Sequence, residues 1–428
     1  MLFSVTPLAI ALHTALFSLP TDRRSVLSSL ILTPAVDLDR IENVVRIASD
    51  EIVTSPERTK SLQPWSIQLP LERYSGGTNC IRLTLSYRRI ESLFGAKRYL
   101  PKKVYKAIVD TGSPYLVISD GMEYASFLDE VENPVSWKMP PTIDFIYTLF
   151  EPNVHFELEK SSYGPTEEIY GSVKGNIEWK ESFVQVRDEN VSDNIVLGVL
   201  DEKLTQESGG PLIGLVKRSN HRTEKVQLRP TFLEQLRYRE ICSFQIDSPN
   251  KLLTLASGKS LINDTAEKII PLVDLRPLGD FVEHYTCIVD TLKLNNDIFT
   301  AKSISSNGLV RPIVAVFDSG LSGCLLTQPL WDLLVDRQSI DLTSVNNLDV
   351  GVITKASNSN AKESLQKKHL VHFETDSTMP FFRLSPINLD WFDDDDDTCP
   401  LVVVLGQTFL SQGSLTIDID ERQATFKS

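Results

Sequence analysis

Two segments of the chain join an apolar run to an aspartate, a hydroxyl residue and a glycine. Residues 107–113 read AIVDTGS, and residues 315–322 read AVFDSGLS. Two carboxylates about 3 Å apart cannot both ionise, so they share one proton and can act on a single water as base and acid. Such a pair hydrolyses a peptide bond without a metal ion or a nucleophilic side chain. The two segments therefore predict a catalytic pair, Asp110 and Asp318.

The residues that follow each aspartate suit a catalytic loop. Thr111 and Ser319 carry hydroxyls that can hydrogen-bond to the opposite loop and hold both carboxylates in one plane. Gly112 and Gly320 allow a tight turn and a close approach of the backbone to substrate. A single Asp-Thr-Gly is an ordinary turn sequence, but two copies, each preceded by an apolar run, favour an active site.

The chain contains a long-period repeat. An apolar run that ends in glycine follows each motif, PLIG at residues 211–214 and VVLG at residues 403–406. This repeat predicts two homologous lobes with a boundary near residues 256–270. The predicted organisation is a targeting region (1–36), a linker or short propeptide (37–64), an N-terminal lobe (65–260) and a C-terminal lobe (261–428).

Apolar alternation predicts a mostly β chain from residue 65 onward, because strand-like runs recur between closely spaced turn signals. Helical patterns are few, and the best are residues 230–236 and 327–335. The HxxH of His369 and His372 falls on a strand-like run, which indicates a structural pair rather than a zinc site. Strands are predicted at 67–71, 81–85, 104–109, 155–158, 183–186, 194–198, 242–246, 252–255, 285–289, 293–294, 313–317, 369–373, 401–405 and 414–419.

The two motifs resemble the active-site loops of the bilobal pepsin-like aspartic proteases. Residues 404–410 and 417–420 resemble the family's C-terminal segment, and residues 326–331 resemble the helix after its second aspartate. The resemblance can be followed from about residue 65 to residue 428 in the family's order. It implies two β lobes with six-stranded sheets, a cleft between them and an endopeptidase that usually works best in acid.

Two positions depart from the family's pattern. The family has a Ser or Thr three residues after each aspartate, whose hydroxyl bonds the carboxylate's outer oxygen. Ser113 takes this role in the first loop, but Leu321 stands there in the second. The lost bond is expected to raise the pKa of that carboxyl and to move the pH profile upward. Val117 stands where the family often has Trp, which changes the wall of the pocket.

In this family a β-hairpin flap, which carries a Tyr-Gly, closes over the substrate. Two candidates exist, Tyr163-Gly164 on the incoming strand and Tyr170-Gly171 on the outgoing one. We favour Tyr163, because residues 156–159 resemble the approach to the flap. Trp179 is interpreted as core packing.

The leading functional hypothesis is a monomeric endopeptidase that binds a polypeptide in extended conformation and needs no cofactor or metal. The alternative is a catalytically inactive binding or inhibitor protein on the same scaffold. Such relatives typically lose an aspartate or its glycine, whereas this chain keeps both triplets. A net charge of -14 and a pI of about 5.0 argue against a nucleic-acid partner.

The N-terminus favours export from the cytosol. Residues 2–19 are apolar and uncharged like a signal-peptide core, and Arg23-Arg24 precede a second apolar run at residues 26–36. We expect a secretory or vacuolar route, with a bipartite presequence for a plastid thylakoid lumen, or a single membrane anchor, as alternatives. The sequons at Asn190 and Asn263 fit export. The five cysteines allow at most two disulfide bonds and have no zinc-ligand spacing.

Overall fold

A computed structural model gives the architecture of the chain. Its described part is mostly β, with two mixed sheets and few helices, as the sequence predicts. The described residues are 64–73, 78–88, 99–119, 159–170, 173–186, 194–201, 203–204, 211–217, 229–236, 240–263, 268–278, 280, 282–304, 310–337, 342, 345, 347–356, 369–375, 384–387 and 399–428.

Strand β1 (Trp65–Pro70) belongs to the larger sheet, and the next nine strands form the smaller one. Across the smaller sheet the order is β2-β3-β4-β10-β5-β9-β8-β6, with β7 paired to β8 and a further β3–β8 pairing. The bounds are β2 (Glu72–Arg73), β3 (Asn79–Arg88), β4 (Tyr99–Asp110), β5 (Leu116–Ser119), β6 (Glu159–Lys160), β7 (Thr166–Tyr170), β8 (Val173–Val186), β9 (Asn194–Leu200) and β10 (Leu212–Gly214).

The larger sheet has fourteen strands among the described residues. Its order is β1-β12-β11-β22-β23-β13-β18-β14-β16-β21-β17-β20, with β15 paired to β14 and β19 paired to β18. The bounds are β11 (Ile241–Asp247), β12 (Leu252–Ser257), β13 (Lys268–Pro271), β14 (Thr286–Leu294), β15 (Asp297–Phe299), β16 (Ile313–Phe317), β17 (Cys324–Thr327), β18 (Leu348–Ala356), β19 (His369–Glu374), β20 (Leu384–Ile387), β21 (Leu401–Leu405), β22 (Ser414–Asp418) and β23 (Gln423–Lys427).

The helices of the described residues are short. α1 (Phe232–Gln235) begins at a capping box, in which Thr231 and Glu234 each bond the other's backbone amide. α2 (Gln328–Asp332) continues into a single π-helical turn, and α3 (Gln407–Leu410) follows β21 directly. A 3₁₀ turn lies at Arg276–Leu278. The two helices predicted at residues 230–236 and 327–335 are confirmed as α1 and α2.

The two halves of the chain repeat one arrangement of strands. The order β3-β4-β10-β5-β9 in the smaller sheet matches β14-β16-β21-β17-β20 in the larger one. In each half the strand that leads to an aspartate pairs in parallel with the strand that ends at the repeated glycine, so Gly214 lies opposite Asp110 and Leu405 lies opposite Phe317. The sequence repeat is therefore a repeat of topology.

The predicted strands agree with the observed ones. Each predicted strand within the described residues overlaps an observed strand, and residues 155–158 lie outside them. β1 and β12 pair within the larger sheet, so the predicted N-terminal lobe contributes strands to both sheets. The division at residue 260 stays a prediction.

The five cysteines, which allow at most two disulfide bonds, are all free thiols in the structure. Cys80, Cys287 and Cys324 are buried. Burial raises the pKa of Cys80 to about 11 and raises the pKa of Cys287 and Cys324 as well. These thiols act as small apolar side chains of the core. Within the described ranges, no helix has the length and apolar character that a membrane crossing would need.

Candidate active site

The structure brings the two predicted aspartates together. Asp110 ends β4 and Asp318 follows β16, a strand whose five residues are all buried. Such strands are apolar throughout because protein covers both of their faces. The carboxylates of Asp110 and Asp318 are close enough to hydrogen-bond to each other, and Asp110 is only 7% exposed.

Thr111 and Ser319 link the two loops by reciprocal hydrogen bonds. The Thr111 amide donates to Ser319 Oγ (3.1 Å), and the Ser319 amide donates to Thr111 Oγ1 (2.9 Å). Each hydroxyl donates onward to the other loop, Thr111 Oγ1 to the Phe317 carbonyl and Ser319 Oγ to the Val109 carbonyl, both at 2.7 Å. Both residues are fully buried. This network fixes one loop against the other in the way the sequence predicts.

Gly112 and Gly320 each pack against the opposite carboxylate. A Cβ on Gly112 would lie 2.9 Å from Asp318 Cγ, and a Cβ on Gly320 would lie 2.7 Å from Asp110 Cγ. The Gly112 amide donates to Asp110 Oδ1 (2.8 Å), and the Gly320 amide donates to Asp318 Oδ1 (2.9 Å). Any side chain at either position would push the two carboxylates apart.

The repeated glycines downstream support the loops from behind. A Cβ on Gly214 would lie 2.4 Å from the Ser113 carbonyl oxygen, and one on Gly406 would lie 2.5 Å from the Leu321 carbonyl oxygen. The amide of Gly214 donates to the Tyr115 carbonyl (2.9 Å). The apolar-Gly pattern of the sequence therefore marks the point where each loop rests on a neighbouring strand.

The residues three positions after the aspartates behave differently from the expectation. The Ser113 hydroxyl accepts from the Tyr115 amide (3.4 Å), and the bond to Asp110 that the resemblance implies is not among its contacts. Pro114 has no amide hydrogen, which leaves the Tyr115 amide as the next donor along this turn. In the second loop the backbone amide of Leu321 donates to Asp318 Oδ1 (3.2 Å). That amide supplies a bond where the sequence predicts the loss of one.

The environment of the pair favours a shared proton. Burial raises the pKa of Asp110 well above its ordinary value, and the adjacent charge of Asp318 raises it further. The Gly112 amide opposes this rise but does not cancel it. Asp110 therefore holds the proton that the pair shares above the pH at which an ordinary aspartate loses it.

Gln407 is a site residue that sequence reasoning missed. It is fully buried at the start of α3, and its amide donates to the Ser319 carbonyl (2.9 Å). Its side-chain oxygen accepts from Asn79 at the beginning of β3 (3.3 Å). Through these two bonds, Asn79 in the first half of the chain supports the second loop. The position directly after the repeated glycine is the only sequence signal for it.

The flap candidates lie at other places than predicted. Tyr163 lies in the turn between β6 and β7 rather than on the incoming strand, and it is half-buried against an apolar cluster around Trp179. A Cβ on Gly164 would meet open space, so nothing there requires a glycine. Tyr170 ends the incoming strand β7, opposite Val173 at the start of β8. The Tyr170 side chain and Gly171 lie outside the described residues.

An arginine stack attaches this hairpin to the body of the first half. The guanidinium of Arg229 lies 4.6 Å from the Trp179 ring centroid and 5.3 Å from that of Tyr115. Arg229 also hydrogen-bonds the Thr166 hydroxyl on β7, which accepts from Trp179 Nε1 as well (2.8 Å). Trp179 is buried, as predicted, and Val117 packs in the same cluster.

Among the described residues, no three His, Cys, Asp or Glu side chains are grouped as a metal ion would require. No protein-family model matches the chain, and a search of curated proteins gives no significant match. Two buried carboxylates that share a proton can polarise a water and protonate a carbonyl oxygen at the same time.

Proposed function

We propose that the chain is an aspartic endopeptidase of the pepsin-like class, in which Asp110 and Asp318 hydrolyse peptide bonds with one shared water. The observation that carries the proposal is the meeting of two Asp-hydroxyl-Gly loops, joined by the reciprocal bonds of Thr111 and Ser319. An ordinary pair of turns has no reason to bury both hydroxyls in bonds that cross from one half of the chain to the other.

Asp110 and Asp318 take different roles in the first step. Asp110, whose pKa is raised by burial and by the Asp318 charge, holds the shared proton. Asp318 accepts backbone amides from Gly320 and Leu321, which suits the ionised form. Asp318 removes a proton from the water while the water oxygen bonds to the peptide carbon. At the same time Asp110 protonates the carbonyl oxygen. The C–N bond then breaks as the leaving nitrogen takes the proton from Asp318, and a hydroxyl of the tetrahedral carbon returns its proton to Asp110.

The substrate of this proposal is a polypeptide in extended conformation. The repeated strand order of the two halves supports a bilobal arrangement with the aspartates between the lobes. The β7–β8 hairpin is the element that would cover the substrate, and Arg229 holds its base. Both loops belong to one chain, so we propose that the enzyme works as a monomer without a cofactor.

The compartment is a separate proposal that rests on sequence alone. Residues 1–36 lie outside the described residues. Their apolar runs and Arg23-Arg24 favour export by the secretory or vacuolar route, with the plastid thylakoid lumen as the alternative. Fluorescent fusions with and without residues 1–36 would separate the two routes.

The testing experiment is cleavage of denatured casein from pH 3 to pH 7, with and without pepstatin. It uses the full chain, the chain without residues 1–36, and Asp110→Asn and Asp318→Asn in each. We expect pepstatin-sensitive cleavage that both substitutions abolish. A folded sample that cleaves nothing at any pH would contradict the proposal and favour an inactive binding protein on the same scaffold. Cleavage that survives both substitutions would mean that another site does the chemistry.

A further inference from the structure

The segment of residues 282–286 crosses behind both catalytic loops. The Phe317 amide, next to Asp318, donates to the Tyr285 carbonyl (3.1 Å). The Tyr285 hydroxyl donates to the Leu215 carbonyl (2.6 Å), and the Leu215 amide donates to the Asp110 carbonyl (2.8 Å). The segment thus bonds the residue before Asp318 directly and reaches the Asp110 backbone through Leu215. Its side chains are in a position to affect both.

His284 on this segment contacts oxygen atoms through both of its ring nitrogens. Nδ1 lies 2.9 and 2.8 Å from the two carboxylate oxygens of Asp280, and Nε2 lies 3.2 Å from the carbonyl oxygen of Gly112. The His284 ring is 8% exposed and the Asp280 side chain is fully buried. Water therefore has little room to replace either contact.

The contacts of His284 fit a protonated ring. A carbonyl oxygen and an ionised carboxylate can only accept hydrogen bonds, and a neutral imidazole has only one N–H. Only the imidazolium donates to Asp280 and to Gly112 at the same time. A neutral ring that keeps its Nδ1–H on Asp280 turns the Nε2 lone pair toward the Gly112 oxygen, where two acceptors repel each other.

Gly112 is the point at which this contact reaches the catalytic centre. Its amide donates to Asp110 Oδ1 (2.8 Å), and its Cα packs so tightly that a Cβ would lie 2.9 Å from Asp318 Cγ. The carbonyl of the same residue accepts from His284. A bond at the carbonyl end therefore holds the residue that contacts both carboxylates.

We propose that His284, oriented by Asp280, is a positioning residue that in its protonated form clamps the Gly112 carbonyl and keeps Asp110 and Asp318 in working geometry. This inference rests on the proposed proteolytic function. It predicts that the clamp is present in acid and is lost as the pH rises and the ring loses its second proton. Release of the clamp then lowers activity toward higher pH.

The charges around His284 favour the protonated ring. Asp280 is its direct counterion. Glu283, the preceding residue, is already engaged by Arg276 (3.0 Å) and Arg422 (2.8 Å), so its charge is compensated within a separate network. That network also includes the buried Asp274, which Arg276 bonds at 2.7 Å.

On the opposite side of Gly112 stands the aspartate pair, which carries one negative charge while it shares a proton. Gly112 separates this charge from the His284 ring.

The test compares His284→Gln and His284→Leu with the unsubstituted full chain, by kcat and KM on denatured casein from pH 3 to pH 8. Gln can donate to the Gly112 carbonyl but does not titrate in this range. We expect it to keep activity in acid and to hold that activity to a higher pH than the unsubstituted chain does. Leu cannot donate, and we expect kcat to fall about tenfold or more with little change in KM. An unchanged upper pH limit of activity in His284→Gln, or an unchanged kcat in His284→Leu, would overturn the proposal.

A second measurement does not depend on activity or on the Leu variant folding. The measurement follows the ¹⁵N NMR chemical shifts of the histidine rings against pH, in ¹⁵N-histidine-labelled chain that carries Asp110→Asn. The His284 signal is assigned by its absence from the spectrum of His284→Gln. We expect both ring nitrogens to be protonated at pH 5. A neutral ring at pH 5 would overturn the clamp. An unsubstituted chain that lacks activity contradicts the proposed function, while the ring shifts still decide the protonation of His284.

Discussion

Thr111 and Ser319, 208 residues apart in sequence, each accept the other's backbone amide and donate to a carbonyl of the other's loop. Four hydrogen bonds thus join the two halves of the chain directly behind the aspartates. A hydroxyl is the smallest side chain that accepts and donates at once, which explains Thr and Ser at these positions. The bonds couple the stability of the chain to the geometry of the catalytic pair.

Ser319→Ala tests this coupling. It removes two buried hydrogen bonds and leaves the Thr111 amide and the Val109 carbonyl without these partners. We expect unfolding by urea to show a loss of about 2 kcal/mol and kcat to fall by about tenfold or more. Ser303→Ala is the matched control, because its hydroxyl bonds only within an exposed turn. Equal effects of the two substitutions would argue against any special role of the loop hydroxyls.

The raised pKa of Asp110 predicts a pH-dependent change in stability. A carboxyl whose pKa is higher in the folded state contributes its stability in acid, below its ordinary value of about 3.9, and loses it as the pH rises through the folded value. Asp110→Asn removes this loss, since the amide is neutral at every pH. We expect the variant to melt at a higher temperature than the unsubstituted chain at pH 7, and the difference to shrink toward pH 3. A variant that is less stable at pH 7 would contradict a buried, proton-sharing pair.

Residues with local signals could be found from the sequence alone. Asp110 and Asp318 stand at the ends of apolar runs, and the glycines at 214 and 406 repeat the pattern, so both loops and their supporting strands were predictable. β18 was not predicted, although the buried Leu348, Val350 and Val352 alternate as a strand requires.

Other residues gained their roles only by long-range contact. His284 meets Gly112 across 172 residues, and Gln407 meets Asn79 across 328 residues. A single histidine or glutamine has no periodicity and no motif that would reveal such a partner. The departure of Ser113 from its expected bond has a similar cause, because the path of the chain around Pro114 decides which donor its hydroxyl meets. Side-chain partners across a fold are set by packing, which one sequence does not display.

A matched pair of glycines tests how closely the carboxylates are confined. In Gly320→Ala the new methyl group would lie 2.7 Å from Asp110 Cγ, whereas in Gly164→Ala it meets open space. We expect Gly320→Ala to lower kcat/KM by about a hundredfold or more, since a displacement of about 1 Å at a reacting group has this effect. Gly164→Ala should stay within about 0.5 kcal/mol of the unsubstituted stability and keep its activity. A large loss of activity in Gly164→Ala would restore Tyr163-Gly164 as the flap.

The stack of Arg229 on Trp179 predicts a separation of KM from kcat. Arg229→Ala removes a hydrogen bond to Thr166 on the hairpin together with the guanidinium over the ring, so the base of the hairpin loosens while the aspartates stay in place. We expect a stability loss of about 2 kcal/mol, a raised KM and a nearly unchanged kcat. Arg229→Lys should not restore KM, because an ammonium cannot stack as a planar guanidinium does. Arg82→Ala is the control, since its ion pair with Glu72 is exposed and contributes about 1 kcal/mol at most. A kcat that falls with KM unchanged would place Arg229 in the support of the aspartates instead.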